Sequence, residues 1–133
     1  MDKFTESYIE CMLWICEDEH GVPLEDNYFI GDIDSESLDK IVDECHSFLE
    51  SNVNLIEQIK PIRLNLSGMQ VKIIGAYEQA GHDFYLARNG HGSGFLDRNN
   101  IPEDVREALT EAAESYSNSG LLVADSNELQ YYS

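Results

Sequence analysis

The run His82-Asp83-Phe84-Tyr85-Leu86-Ala87-Arg88-Asn89-Gly90-His91-Gly92-Ser93-Gly94-Phe95-Leu96-Asp97-Arg98 gathers two histidines, two aspartates, two arginines, three glycines and three aromatics into one short stretch. His82, Phe84, Leu86 and Arg88 alternate with Asp83, Tyr85 and Ala87, the period of two that marks a strand. Asn89-Gly90 adds a pair that tolerates positive φ, a strong short-range hairpin signal. The spacing predicts a hairpin over 82–98, which is either an active site or framework.

Around it the periodicity is mostly helical. Phe4, Tyr8, Ile9, Met12, Leu13 and Ile15 recur at three and four, predicting a helix over about 4–17 that Gly21 and Pro23 end. Residues 21–32 read as a loop with anchors at Leu24, Tyr28 and Ile30. Ser35 offers an N-cap for a second helix to about residue 50, with Leu38, Ile41, Val42, Cys45, Phe48 and Leu49 on its apolar face. Residues 53–60 suggest a short helix stopped by Pro61, and residues 70–79 another helix despite their β-branched run. Pro102 suits the first turn of a helix that buries Val105, Leu109, Ala112, Ala113 and Tyr116. The runs 121–125 and 129–132 then make a terminal hairpin. The order argues a single-domain α+β fold, residues 1–133, with helices on a small antiparallel sheet and a helix between two hairpins.

Composition narrows function. A chain of 133 residues folds without staples, and its three cysteines, Cys11, Cys16 and Cys45, sit in helical runs that favour reduced, buried thiols. The start MDKFTESYIECMLWIC carries acids where a signal peptide needs bases, and no apolar run spans a bilayer. The expectation is a soluble, cytoplasmic protein. With 8 basic against 26 acidic side chains, net −18, the chain repels nucleic acid and anionic membrane. The charge is uneven: residues 58–100 hold 3 acids and 5 bases, a nearly neutral island between acidic flanks.

The 82–98 run resembles the signature H-D-F-W-x-x-R-N-G-H-G-x-G-F-W-D-R of short proteins encoded by tailed phages and related mobile elements. The match is His82, Asp83, Phe84, Arg88, Asn89, Gly90, His91, Gly92, Gly94, Phe95, Asp97 and Arg98, with Tyr85 and Leu96 where that family more often has Trp. The resemblance implies a phage origin and carries no catalytic assignment.

Two functional readings follow. In the first, the carboxylates are the working surface. Asp2, Glu6 and Glu10, then Glu36, Asp39, Asp43 and Glu50, then Glu103, Glu107, Glu111 and Glu114 fall at helical spacing, giving each of three helices an anionic row. Like charges four apart cost roughly 0.2–0.5 kcal/mol per pair, so a merely solvated face would interleave lysines; only Lys3, Lys40 and Arg106 do so. Carboxylates at this spacing match the order of the phosphate repeat. The expectation is a phage-encoded DNA mimic that occupies the basic cleft of a host nucleic-acid-binding protein, without cofactor, and forms a possible homodimer through the C-terminal LQYYS edge. The ordinary alternative is acidity for solubility or salt adaptation. In the second reading, the 82–98 hairpin is the site of a small enzyme or anionic-ligand-binding domain, with Arg88 and Arg98 holding an anion and His91 or His82 moving a proton. No HExxH, Cys-x-x-Cys or P-loop lysine accompanies it, and the pairs Cys16/His20 and Cys45/His46 lack the second knuckle that zinc requires.

Overall fold

The computed structural model describes residues 1–91 and 94–133. Helix α1 (Lys3–Ile15) begins where the Asp2 carboxylate accepts the Thr5 N–H at 2.8 Å, satisfying one of the donors a helix start leaves unpaired. Asp34, one residue before the expected Ser35, caps α2 (Ser35–Ile56) in the same way through the Ser37 N–H. No glycine or proline separates residue 50 from residue 56, so the second helix runs on through the segment expected to start a separate short one. Ile59 is buried beyond its end, and Pro61 precedes a strand.

That strand, β1 (Ile62–Asn65), pairs antiparallel with β2 (Val71–Ile74) in the register Ile62 opposite Ile74 and Asn65 opposite Val71. The expected helix over 70–79 is therefore wrong in its first half: the β-branched Val71, Ile73 and Ile74 keep the strand their side chains favour, and helix resumes only after Gly75.

The larger correction concerns 82–98. Residues 76–88 form helix α3 (Ala76–Arg88), and a single 3₁₀ turn covers Phe95–Asp97. Packed against α1, α2 and α4 (Glu103–Glu114), α3 is buried on nearly every side. A helix enclosed in this way shows no polar face, so its sequence lacks the 3.6-residue contrast and alternation by two arises without a strand. Gly81 marks the closest approach: a Cβ there would lie 2.0 Å from the Phe4 carbonyl oxygen of α1. Asn89-Gly90 is a helix stop. The Gly90 N–H reaches the Ala87 carbonyl, the His91 N–H reaches that of Leu86, and Gly90 takes φ +68°, together a Schellman closure. The chemistry that makes Asn-Gly a hairpin signal, tolerance of positive φ, serves this cap equally well.

Helix α4 starts at Glu103, with Pro102 at its N-cap and not in the first turn as expected, and β3 (Gly120–Val123) pairs with β4 (Leu129–Tyr132) as the terminal hairpin. The fold is α+β, with four helices and two antiparallel hairpin sheets among the described residues. The core is an aromatic stack centred on Phe48 and Phe84, whose ring centroids lie 4.1 Å apart, with Phe4, Phe95 and Tyr116 around them. The outer edge of β4 is occupied: the Asp34 N–H bonds the Leu129 carbonyl, and the Tyr131 N–H bonds Ser37 Oγ. The LQYYS segment thus offers no open edge there for dimerisation.

Candidate interaction surface

Helix α3 turns Asp83 and Arg88 of the motif inward. The Arg88 side chain is 1% exposed. Its Nη1 donates to Glu44 Oε1 at 2.7 Å and lies 3.2 Å from both the Tyr8 and Tyr131 hydroxyls, while Nε donates to the Ser117 carbonyl at 2.8 Å. The guanidinium also lies over the Phe84 and Tyr116 rings, at 5.4 and 5.2 Å. Burial alone would raise the Glu44 carboxyl, but hydrogen bonds from Ser133, Arg88 and Tyr131, with the Arg88 charge, hold it below the usual range. Burial likewise pushes the Tyr131 phenol up to about 12, leaving it a neutral donor. One arginine from α3 therefore joins α1, α2, the segment after α4 and β4.

The second arginine works similarly. Arg98 Nε and Nη2 clasp both oxygens of the fully buried Asp83 at 3.1 and 2.8 Å, tying the loop after the 3₁₀ turn back to α3. His82 is half-buried beside Trp14, ring centroids 6.0 Å apart, and burial lowers its pKa. His91 is exposed past the helix stop, next to Tyr85. The four residues of the enzymatic reading thus do not converge on one site: Arg88 is enclosed on Glu44, Arg98 holds the buried Asp83 and shares one cleft with His82, and His91 stands apart beyond the end of α3. Gly92 and Ser93 of the motif lie outside the described residues. Among the described residues no cluster of three or more His, Cys, Asp or Glu is placed to hold a metal ion. Cys45 is buried, Cys16 Sγ lies 3.4 Å from Tyr85 Oη, and burial pushes the Cys11 thiol up to about 12.

The acidic rows lie outside. Glu6 and Glu10 on α1, Glu36, Asp39, Asp43 and Glu50 on α2, and Glu103, Glu107, Glu111 and Glu114 on α4 are all exposed. Among the described residues none of them joins an ion pair within 4 Å. Asp2 differs, since its carboxylate caps α1 and meets His46 Nε2 at 3.0 Å. The α2 row lies opposite the buried stripe of Ile41, Cys45 and Phe48. Helix α2 itself packs against both α1 and α4. From Glu36 to Glu50 it spans about 21 Å at 1.5 Å per residue.

Three features escaped the sequence reading. Residues 63–73 are exposed throughout, so the β1–β2 hairpin stands away from the helices. Beside it, a cleft of about 310 Å³ is lined by Lys72, His82, Arg98, Glu10 and Glu78 among others. Another, of about 370 Å³, has an apolar floor of Ile9, Leu13 and Ile30 and a rim of Glu6, Glu10 and Glu25. No described helix is long and apolar enough to cross a membrane. Comparison with protein-family models, with curated proteins and with solved structures finds no match to this chain in any of the three.

Proposed function

We propose that the protein is a phage-encoded acidic interaction protein that acts in the host cytoplasm as a DNA mimic, the α2 row entering the basic cleft of a host defence or DNA-processing enzyme. The observation that carries this reading is the unpaired row itself. Glu36, Asp39, Asp43 and Glu50 stand exposed along one line with no cation paired to them among the described residues. Such a row carries its own repulsion in the free protein and is relieved when a basic partner covers it. The internal ion pairs of Arg88, and of Asp83 with Arg98, support the same reading, because they give these three motif residues a use in the fold.

The test is affinity capture from bacterial lysate with the tagged protein, repeated with competing duplex DNA and at raised salt. A nucleic-acid-binding enzyme that both treatments release, and that a Glu36→Gln, Asp39→Asn, Asp43→Asn, Glu50→Gln variant fails to capture, is the expected result. Capture that is indifferent to these four substitutions refutes the α2 assignment. A second reading, an anionic-ligand domain, draws on Lys72, His82 and Arg98 around one cleft; inorganic phosphate that shifts the His82 ring resonances would favour it.

A further inference from the structure

We infer that the chain self-associates as a two-fold dimer in which each copy's β1–β2 hairpin docks into the cleft between α1 and residues 25–30 of the other copy. The hairpin is the chemical opposite of the body that carries it. Between Glu57 and Glu78 the chain has three of its eight basic residues, Lys60, Arg63 and Lys72, and no acid. Leu64, Leu66, Val71 and Ile73 are exposed with them, Ile73 at 59%, and Met69 at the tip is 99% exposed. Met69 also takes φ +65°, a left-handed conformation that disfavours a side chain, so local backbone preference does not explain its position. A two-stranded ribbon alone in water is at best marginally stable, and both faces of this one carry exposed aliphatic side chains beside a cation, Leu64 opposite Lys72 on one face and Ile73 opposite Arg63 on the other.

The cleft supplies the complement. Its apolar floor matches the hairpin's aliphatic side chains, its rim of Glu6, Glu10 and Glu25 matches Arg63 and Lys72, and Phe29, 66% exposed, stands at its side. No cation lines it. Glu10 borders this cleft and also the cleft at the hairpin's base, so donor arm and acceptor groove flank the same ridge of α1. Surfaces that close together allow one two-fold axis to satisfy both docking events, the isologous arrangement commonest in homo-oligomers. Charge disfavours the simpler symmetric alternative, since hairpin against hairpin places Arg63 and Lys72 against like charges. The α2 row stays free, so this dimer and the proposed mimicry stand or fall separately.

Sedimentation velocity on the full chain, over a range of concentrations and from about 0.05 to 0.5 M salt, tests the inference. The wild type is expected to dimerise, to an extent that rises with concentration. Arg63→Glu with Lys72→Glu makes a hairpin-reversed chain, and Glu6→Lys with Glu10→Lys makes a cleft-reversed chain. Each alone should sediment as a monomer, since its own hairpin and cleft now repel. Mixed in equal amounts they should form a heterodimer, because both interfaces in the mixed pair join opposite charges; this recovery also shows that both variants are folded. A wild type that remains monomeric at all concentrations overturns the inference. So does a cleft-reversed chain that still dimerises, or a mixture that does not.

Discussion

Replacing Arg88 by Met should destabilise the fold by about 3 kcal/mol, with no functional partner needed to see it. Removing one member of a buried ion pair costs roughly 3–5 kcal/mol, because the remaining charge is left without its counterion. Glu44 keeps two hydroxyl donors, from Tyr131 at 3.1 Å and Ser133 at 2.7 Å, and its side chain is 19% exposed. These place the loss at the lower end. Unfolding entropy near 0.28 kcal/mol/K is expected for a chain of this length, so Tm falls by about 10 °C. His91→Ala, on an exposed loop residue, should move Tm by less than about 2 °C. Calorimetry of the three proteins separates the readings: an Arg88→Met chain within 2 °C of wild type would show that the network holds nothing together and would return the guanidinium to the list of functional groups.

The same pair sets an acid dependence. The folded Glu44 carboxyl sits below its ordinary value of 4.5, so the stabilisation is fully present above that pH and is lost as pH falls through the folded value. The Tm difference between wild type and Arg88→Met should therefore be constant near neutrality and close progressively below about pH 4.5. A difference that widens on acidification would contradict the sign of the linkage.

Arg98→Met leaves the buried Asp83 carboxylate without its two-pronged donor and should cost roughly 3–5 kcal/mol in urea unfolding; Arg98→Lys should recover little of it, since an ammonium cannot match both oxygens. Gly81→Ala forces α1 and α3 apart and should cost at least 1–3 kcal/mol, whereas Gly90→Ala, with open space around its added Cβ, should cost only about 1 kcal/mol for the left-handed backbone. Equal losses at the two glycines would argue against helix α3. Asp39→Asn should stabilise, raising Tm by about 1–2 °C through relief of its repulsion with Asp43; the gain should vanish in high salt.

Helices α1, α2 and α4 and the terminal hairpin are legible in the sequence because each buries one stripe and exposes another. Helix α3 is not, since enclosure by three neighbours removes the polar face that periodicity detects. Asp83 and Arg88, polar residues that mimic one side of an alternating strand, are buried because partners from distant segments satisfy them: Glu44 lies 44 residues before Arg88, and Arg98 lies 15 after Asp83. The β1–β2 ribbon did leave a signal. Val71-Lys72-Ile73-Ile74 is β-branched, and Ser67-Gly68 supplies turn chemistry between it and the alternating Ile62-Arg63-Leu64. Reading Pro61 as a helix stop hid the strand that follows it.

The acidic rows were visible because regular helices project their residues predictably, but the nearly neutral island of residues 58–100 was a sum over two unlike populations. Arg88 and Arg98 face inward on carboxylates and contribute to the fold, not to the surface. Lys60, Arg63 and Lys72 are exposed on and beside the hairpin, with no ion pair within 4 Å among the described residues. With two of its cations withdrawn, the exterior is more sharply divided than the count implies: a strongly anionic helical body and one short cationic, apolar arm. Of the six other cations, Lys3, Lys40 and Arg106 stay on the helices, and Lys60, Arg63 and Lys72 lie on or beside an exposed aliphatic ribbon. The proposed acidic contact surface and the proposed dimer arm both draw on that separation.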